Sequence, residues 1–166
     1  MTERPERSSP SPPTLLCFDG SDDAAHAIGV AGRVLGPRSA VVVTVWEPVA
    51  IWEPYDPGAV VSGAVSRLGA EALGLDEIAR DLAHSTMERG VELARAAGFD
   101  ANGHVASGKT WRAICDTAGD NGAVPIVLGA RGLSRVESML LGSVSAAVVA
   151  HAGRAVLVVP RAQTEV

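Results

Sequence analysis

Five short runs of strand length, mostly apolar and separated by stretches of helical periodicity, constrain this sequence more than any other feature. They are Thr14–Asp19 (TLLCFD), Ala40–Trp46 (AVVVTVW), Gly103–Ser107 (GHVAS), Val124–Gly129 (VPIVLG) and Ala155–Pro160 (AVLVVP). Four are near-continuous apolar runs, the texture of parallel strands covered on both faces; a strand with one wet face would alternate. Between them, Asp22–Leu35 is Ala-rich and ends at Gly36-Pro37, a combination that stops a helix. Leu75, Ile78, Leu82, Val91 and Ala94 mark one face of a long helix from about Leu68 to Ala97, closed by Gly98. Trp111–Ala118 and Ser143–Ala152 supply two shorter helices. The order β-α-β-α-β-α-β-α-β needs right-handed crossovers, which put helices on both faces of a parallel sheet. The expected fold is a doubly wound, Rossmann-like α/β sandwich. Ligands in such folds bind beyond the carboxyl ends of the strands, where the strand order reverses. That rule selects Asp19-Gly20-Ser21, Trp46-Glu47, Gly108-Lys109-Thr110 and the loop that opens at Gly129.

A chain of 166 residues suits one such domain. Residues 1–13 (MTERPERSSPSPP) combine charges, serines and prolines with almost nothing to bury, so a disordered tail is expected there and the folded domain over 14–166. A net charge of −5 gives no electrostatic footprint for DNA or RNA, whose binding depends on neutralising phosphates. No run approaches the 18 or so apolar residues of a membrane span, and the charged, proline-containing start lacks the apolar core of a signal peptide. A soluble cytoplasmic protein with no membrane or nucleic-acid partner is the expectation. Cys17 and Cys115 lie apart, without a CxxC or Cys/His neighbourhood, and read as reduced thiols. Glu47–Arg67, with Pro48, Trp52, Pro54, Tyr55 and Pro57, is the least regular stretch and reads as a long connection, a lid or a partner surface.

After the fourth apolar run comes GARGLSRVESMLLGS, in which Gly129, Gly132 and Gly142 are followed at once by Ser143, a spacing of G-x2-G-x9-G-S. Glycines admit phosphate oxygens close to backbone N–H groups, and a helix starting at Ser143 would turn its positive end to the same point. This pattern resembles the ATP-binding signature of universal stress proteins. DGSDDAAHA (19–27) is similar to the family's first strand-to-helix turn and the final AVLVVP to its last strand, so the likeness spans Thr14 to Pro160. The resemblance implies a strand order of 3-2-1-4-5 and an ATP site. In it, Asp19 lies by the nucleoside and the main chain of Val45 meets the adenine edge. Gly129, Gly132, Gly142 and Ser143 line the ribose and phosphates, and Val144 and Ser145 follow in the same helix start. The loop charges Arg131, Arg135 and Glu137 read as solvent-facing, Arg131 being the one best able to reach a phosphate. It also implies a homodimer through about Ala155–Val159. The sequence departs from the family at Thr44, where many members carry His, and at Ala130, a common Ser; Glu137 adds a carboxylate inside the loop that Arg131 and Arg135 can offset.

Gly103–Thr110 (GHVASGKT) formally matches the P-loop pattern G-x4-G-K-[ST]. A P-loop leaves a buried strand, whereas here HVAS is itself the strand candidate and a helix end precedes it, so Gly108 reads as a turn and Lys109 as a charge near the site. His26, His84, His104 and His151 form no metal or catalytic pattern. Asp19 can hold Mg²⁺ through bound phosphates or simply cap the next helix. No residue stands out as the positioner of an attacking water. The sequence therefore reads as a nucleotide-dependent regulator or switch with at most slow hydrolysis. Two alternatives are a weak ATPase or nucleotidyl transferase on the same fold, and a non-nucleotide interaction protein using Trp46, Trp52 and Tyr55.

Overall fold

The computed structural model describes residues 11–48, 74–130 and 141–160. Within them five strands alternate with four helices: β1 (Thr14–Cys17), α1 (Asp22–Leu35), β2 (Ser39–Trp46), α2 (Leu75–Ala96), β3 (Asp100–Ser107), α3 (Thr110–Asp120), β4 (Ile126–Gly129), α4 (Ser143–His151) and β5 (Val156–Val159). Every strand pair is parallel, and the order is β3-β2-β1-β4-β5. The chain thus builds outward from β1 in one direction and then restarts at β4 in the other, and the reversal lies between β1 and β4.

Successive residues of each central strand serve opposite faces, which is why the runs are apolar throughout. Leu16, Val42 and Val127 join Ala27, Ile28 and Ala94 of α1 and α2 in one core cluster. Leu15, Val43 and Ile126 join Ile114 of α3 and Val148 of α4 in a second. Helix α1 starts where Ser21 Oγ accepts from Ala24 N at 3.2 Å, with Asp22 and Asp23 favourably placed in its first turn. It stops at Gly36, whose φ of 70° suits glycine.

The largest shifts of strand boundary are at β3, β1 and β4. β3 begins at Asp100, not Gly103, and pairs with β2 over its whole length from Ser39↔Asp100 to Trp46↔Ser107. Its first residues, Asp-Ala-Asn-Gly, lack an apolar run because β3 is an edge strand and is largely exposed. β1 ends at Cys17, although Phe18 N still donates to Val43 O at 2.9 Å. β4 starts at Ile126, two residues into its run.

The expected face of α2 is also corrected. Val91 and Ala94 are buried, but Leu75, Ile78 and Leu82 are 41%, 61% and 66% exposed. The buried side runs instead through Ala83, Gly90, Val91 and Ala94, small residues that hydrophobic periodicity undervalues. Close approach is the reason: a Cβ on Gly90 would lie 2.7 Å from Phe18 Cδ1 and 2.8 Å from Val42 Cγ1. The expected start of this helix at Leu68, and the tail 1–10, lie outside the described residues.

Candidate functional site

A pocket of about 280 Å³ opens beyond the carboxyl ends of the central strands. Its floor is apolar: Cys17 ends β1 and Phe18 follows it, Val43 and Val45 come from β2, Ile114 from α3 and Leu128 from β4. Its rim carries the polar groups, namely Asp19 after β1, Thr110 at the start of α3, Gly129 ending β4, and Gly142–Ser145 opening α4. Residues separated widely in sequence meet here because the sheet reverses between β1 and β4, parting the loops that follow those strands.

Seven of the nine sequence-predicted residues line this one pocket: Asp19, Val45, Gly129, Gly142, Ser143, Val144 and Ser145. Arg131 and Gly132, like Arg135, Glu137, Trp52 and Tyr55, lie outside the described residues. Asp19 holds its own turn together. Its Oδ1 accepts from Ser21 N at 3.0 Å and from Ser21 Oγ at 2.6 Å, and the same Ser21 hydroxyl caps α1. The helix cap is therefore Ser21, and Asp19 orients it.

The main chain of Val45 is exposed to the pocket by the early end of β1. In a parallel ladder the N–H and C=O of alternate residues point to the same neighbour. Val43 O accepts from Phe18 N on the β1 side, so the groups of Val45 point that way too. The next acceptor on β1 would be Phe18 O, but Thr44 Oγ1 donates to it at 2.8 Å. Among the described residues, the main chain of Val45 has no partner on that side.

At the opposite rim, α4 starts at Gly142 with no side-chain cap among the described residues, so its first N–H groups point out of the helix end toward the pocket, where an anion would be favoured. The glycine there is not required by backbone conformation. Gly142 has φ −68° and ψ 158°, ordinary extended backbone, and its own N–H donates to Ala130 O at 2.7 Å, pinching the chain together at these two residues. Ser145 is buried and its Oγ donates to Gly129 O at 2.9 Å, locking the first turn of α4 onto the end of β4.

The strand-end rule selected the loops that hold Glu47 and Thr110, but sequence reasoning missed Ile114 and the bond between those two loops. Glu47 Oε1 accepts from Thr110 N at 2.9 Å and from Thr110 Oγ1 at 2.6 Å, capping α3 from across the sheet edge. The Thr110 hydroxyl, then its N–H, and then the charge of Lys109 hold the Glu47 carboxyl below its ordinary range. Its partner lies 63 residues away, so no local motif announces it. The Cys17 thiol is pushed far up, by burial first and then by Cys115 and Asp19 nearby.

GHVASGKT is not a phosphate loop. Gly103–Ser107 belong to β3, and a Cβ on Gly103 would overlap the Met87 sulfur, so the first glycine is there for packing. Gly108 has φ +120° and turns the chain into α3. Among the described residues, no group of three or more His, Cys, Asp and Glu is placed to hold a metal. Nor is any described helix long and apolar enough to cross a membrane.

The arrangement is that of a doubly wound α/β domain whose crevice lies at the reversal of strand order, with an apolar floor and a few convergent polar groups, as in small-molecule sites of this fold. The chain matches the universal stress protein family over residues 13–160 and belongs to it. It is 32% identical over 151 residues to the universal stress protein in the QAH/OAS sulfhydrylase 3′ region of Thermus aquaticus, covering 87% of this chain and 96% of that one. Among solved structures, it is similar to a universal stress protein in complex with cAMP (TM-score 0.61, 22% identity, 91% and 98% of the two chains). It is also similar to the Archaeoglobus fulgidus universal stress protein in complex with dAMP (TM-score 0.56, 18% identity, 90% and 98%).

Proposed function

We propose that this pocket binds an adenine nucleotide, with ATP as the physiological ligand, and that the protein acts as a nucleotide-dependent regulator in stress response. The observation that carries the reading is the opposition across one pocket of the helix N-terminus at Gly142–Ser145 and the main chain of Val45, the first without a cap and the second without a partner toward β1 among the described residues. The first suits a phosphate and the second the edge of a base, while the floor of Phe18, Val43, Ile114 and Leu128 suits an apolar ring face. The cAMP and dAMP found in the two structural relatives support adenine as the base.

The rim residues also suit Mg²⁺ held mainly by phosphates, since that ion takes one or two carboxylates and keeps several waters. Asp19 would supply the carboxylate, one oxygen being committed to Ser21. In this reading Arg131 and Gly132 complete the phosphate contacts from the loop between Ala130 and Gly142. Hydrolysis is slow at most, because it needs a group that orients the attacking water as well as cations. The working form is a cytoplasmic homodimer paired through the open edge of β5.

Calorimetry of the purified protein with ATP, ADP, cyclic AMP and adenosine tests the reading, with mass spectrometry of any ligand released on denaturation. Binding of ATP should raise thermal stability by about 2.7 kcal/mol at a hundredfold excess over Kd. Gly142→Val, compatible with the extended backbone there, should keep the fold and abolish binding, while Lys109→Ala should bind within about threefold of wild type. No stabilisation by any adenine nucleotide at millimolar concentration would overturn the proposal, and rapid accumulation of ADP would replace it with the ATPase reading.

A further inference from the structure

Arg89, on α2 and absent from the pocket lining, reaches the turn that carries Asp19. Its Nη2 donates to Gly20 O at 2.7 Å, and its Cζ lies 5.3 Å from the centroid of the Phe18 ring. Phe18 is itself 2% exposed and lines the pocket. One guanidinium thus packs on a residue of the pocket floor and hydrogen-bonds the backbone of the pocket rim.

The turn has reason to need an external hold. Gly20 sits at φ +86°, and glycine keeps more backbone freedom than any other residue. The bonds from Ser21 to Asp19 Oδ1 fix the carboxylate relative to Ser21, but they lie wholly within the turn and would move with it. Arg89 ties the turn to a separate element. Its approach depends on the next residue: a Cβ on Gly90 would collide with Phe18 and Val42, so glycine there lets α2 lie close enough to deliver the guanidinium. Elsewhere on α2, Arg80 Cζ stands 5.4 Å from the Trp46 ring, at the end of β2. The same helix therefore holds the carboxyl ends of two strands that frame the pocket.

We propose that Arg89 is a positioning residue for the nucleotide site, fixing the Asp19–Ser21 turn in its binding shape and coupling nucleotide affinity to the seating of α2. The assignment rests on the nucleotide reading above. Arg89→Met keeps the apolar stem over Phe18 and removes the donor; Arg89→Lys keeps a donor and a charge. ATP affinity measured by calorimetry should fall about tenfold in Arg89→Met and recover to within about threefold in Arg89→Lys, the scale of one hydrogen bond from a charged donor. In the nucleotide-free protein, the Gly20 and Ser21 amide resonances should shift and exchange with solvent faster in Arg89→Met, while β2 amides stay protected. A folded Arg89→Met protein that binds ATP as tightly as wild type would overturn this assignment and leave the nucleotide reading intact. If Arg89→Lys binds as weakly as Arg89→Met, hydrogen bonding to Gly20 is not what positions the turn, and the assignment fails. Failure of wild type to bind any adenine nucleotide would overturn both.

Discussion

Glu47 and Thr110 show how a side chain governs the site without lining it. Folding lowers the Glu47 pKa below its ordinary 4.5, so the clamp on α3 stabilises the protein above that pH. Its contribution disappears as pH falls through the folded value, where the carboxyl protonates. Glu47→Gln should cost about 0.5 to 1 kcal/mol in urea unfolding at pH 7, a capping contribution reduced by solvent exposure, and the difference between the two proteins should shrink as the carboxyl protonates in acid. Cys17 offers a second test. Burial keeps its thiol protonated, so alkylation at pH 8 should be slow compared with a free thiol and slower still with ATP present, since Cys17 lines the pocket. Intact-mass analysis of labelled Cys115→Ser protein would read this directly. At this scale legibility depends on locality. Asp19, Gly129, Gly142 and Ser143 stand in recurring short patterns, whereas Glu47 matters only because α3 returns beside the end of β2.

Among the elements, β3 and α2 explain most of what the sequence concealed. The central strands announce themselves because both faces are covered, and their order of appearance with four helices leaves little choice of architecture. β3 sits at the sheet edge and is mostly exposed, so its first half carries no apolar run. α2 buries the small residues Ala83, Gly90 and Ala94, while the bulkier Ile78 and Leu82 stay exposed. Gly103 joins the two elements. Because Met87 lies where its side chain would be, Gly103→Val should destabilise the domain by about 1 to 3 kcal/mol through overpacking, measured by urea unfolding. Combining it with Met87→Ala should recover much of that loss, which a phosphate-binding role for Gly103 would not predict.

For the whole molecule, the outer edge of β5 is where two copies would meet in the proposed dimer. Ala155 O and Val159 O accept from Ile126 N and Ala130 N of the β4 side, so by alternation the main chains of Val156 and Val158 face outward. An apolar edge without a partner among the described residues invites a second strand. If two copies pair there, Val158→Pro should remove an outward N–H without touching the bonds to β4. Light scattering should then report monomer in place of dimer with the circular dichroism spectrum unchanged; a monomeric wild type would refute the pairing.

The pinch between Gly142 N and Ala130 O has a further consequence for how this chain can diversify. Ala130 and Gly142 are joined by that bond directly, so the described sheet and helices are closed on themselves on either side of residues 131–141. Loop-closure entropy grows only logarithmically, about 0.6 kcal/mol for each doubling. Insertions of Gly-Ser pairs there should leave the melting temperature almost unchanged, and the domain can exchange this stretch as a module while its architecture stays the same.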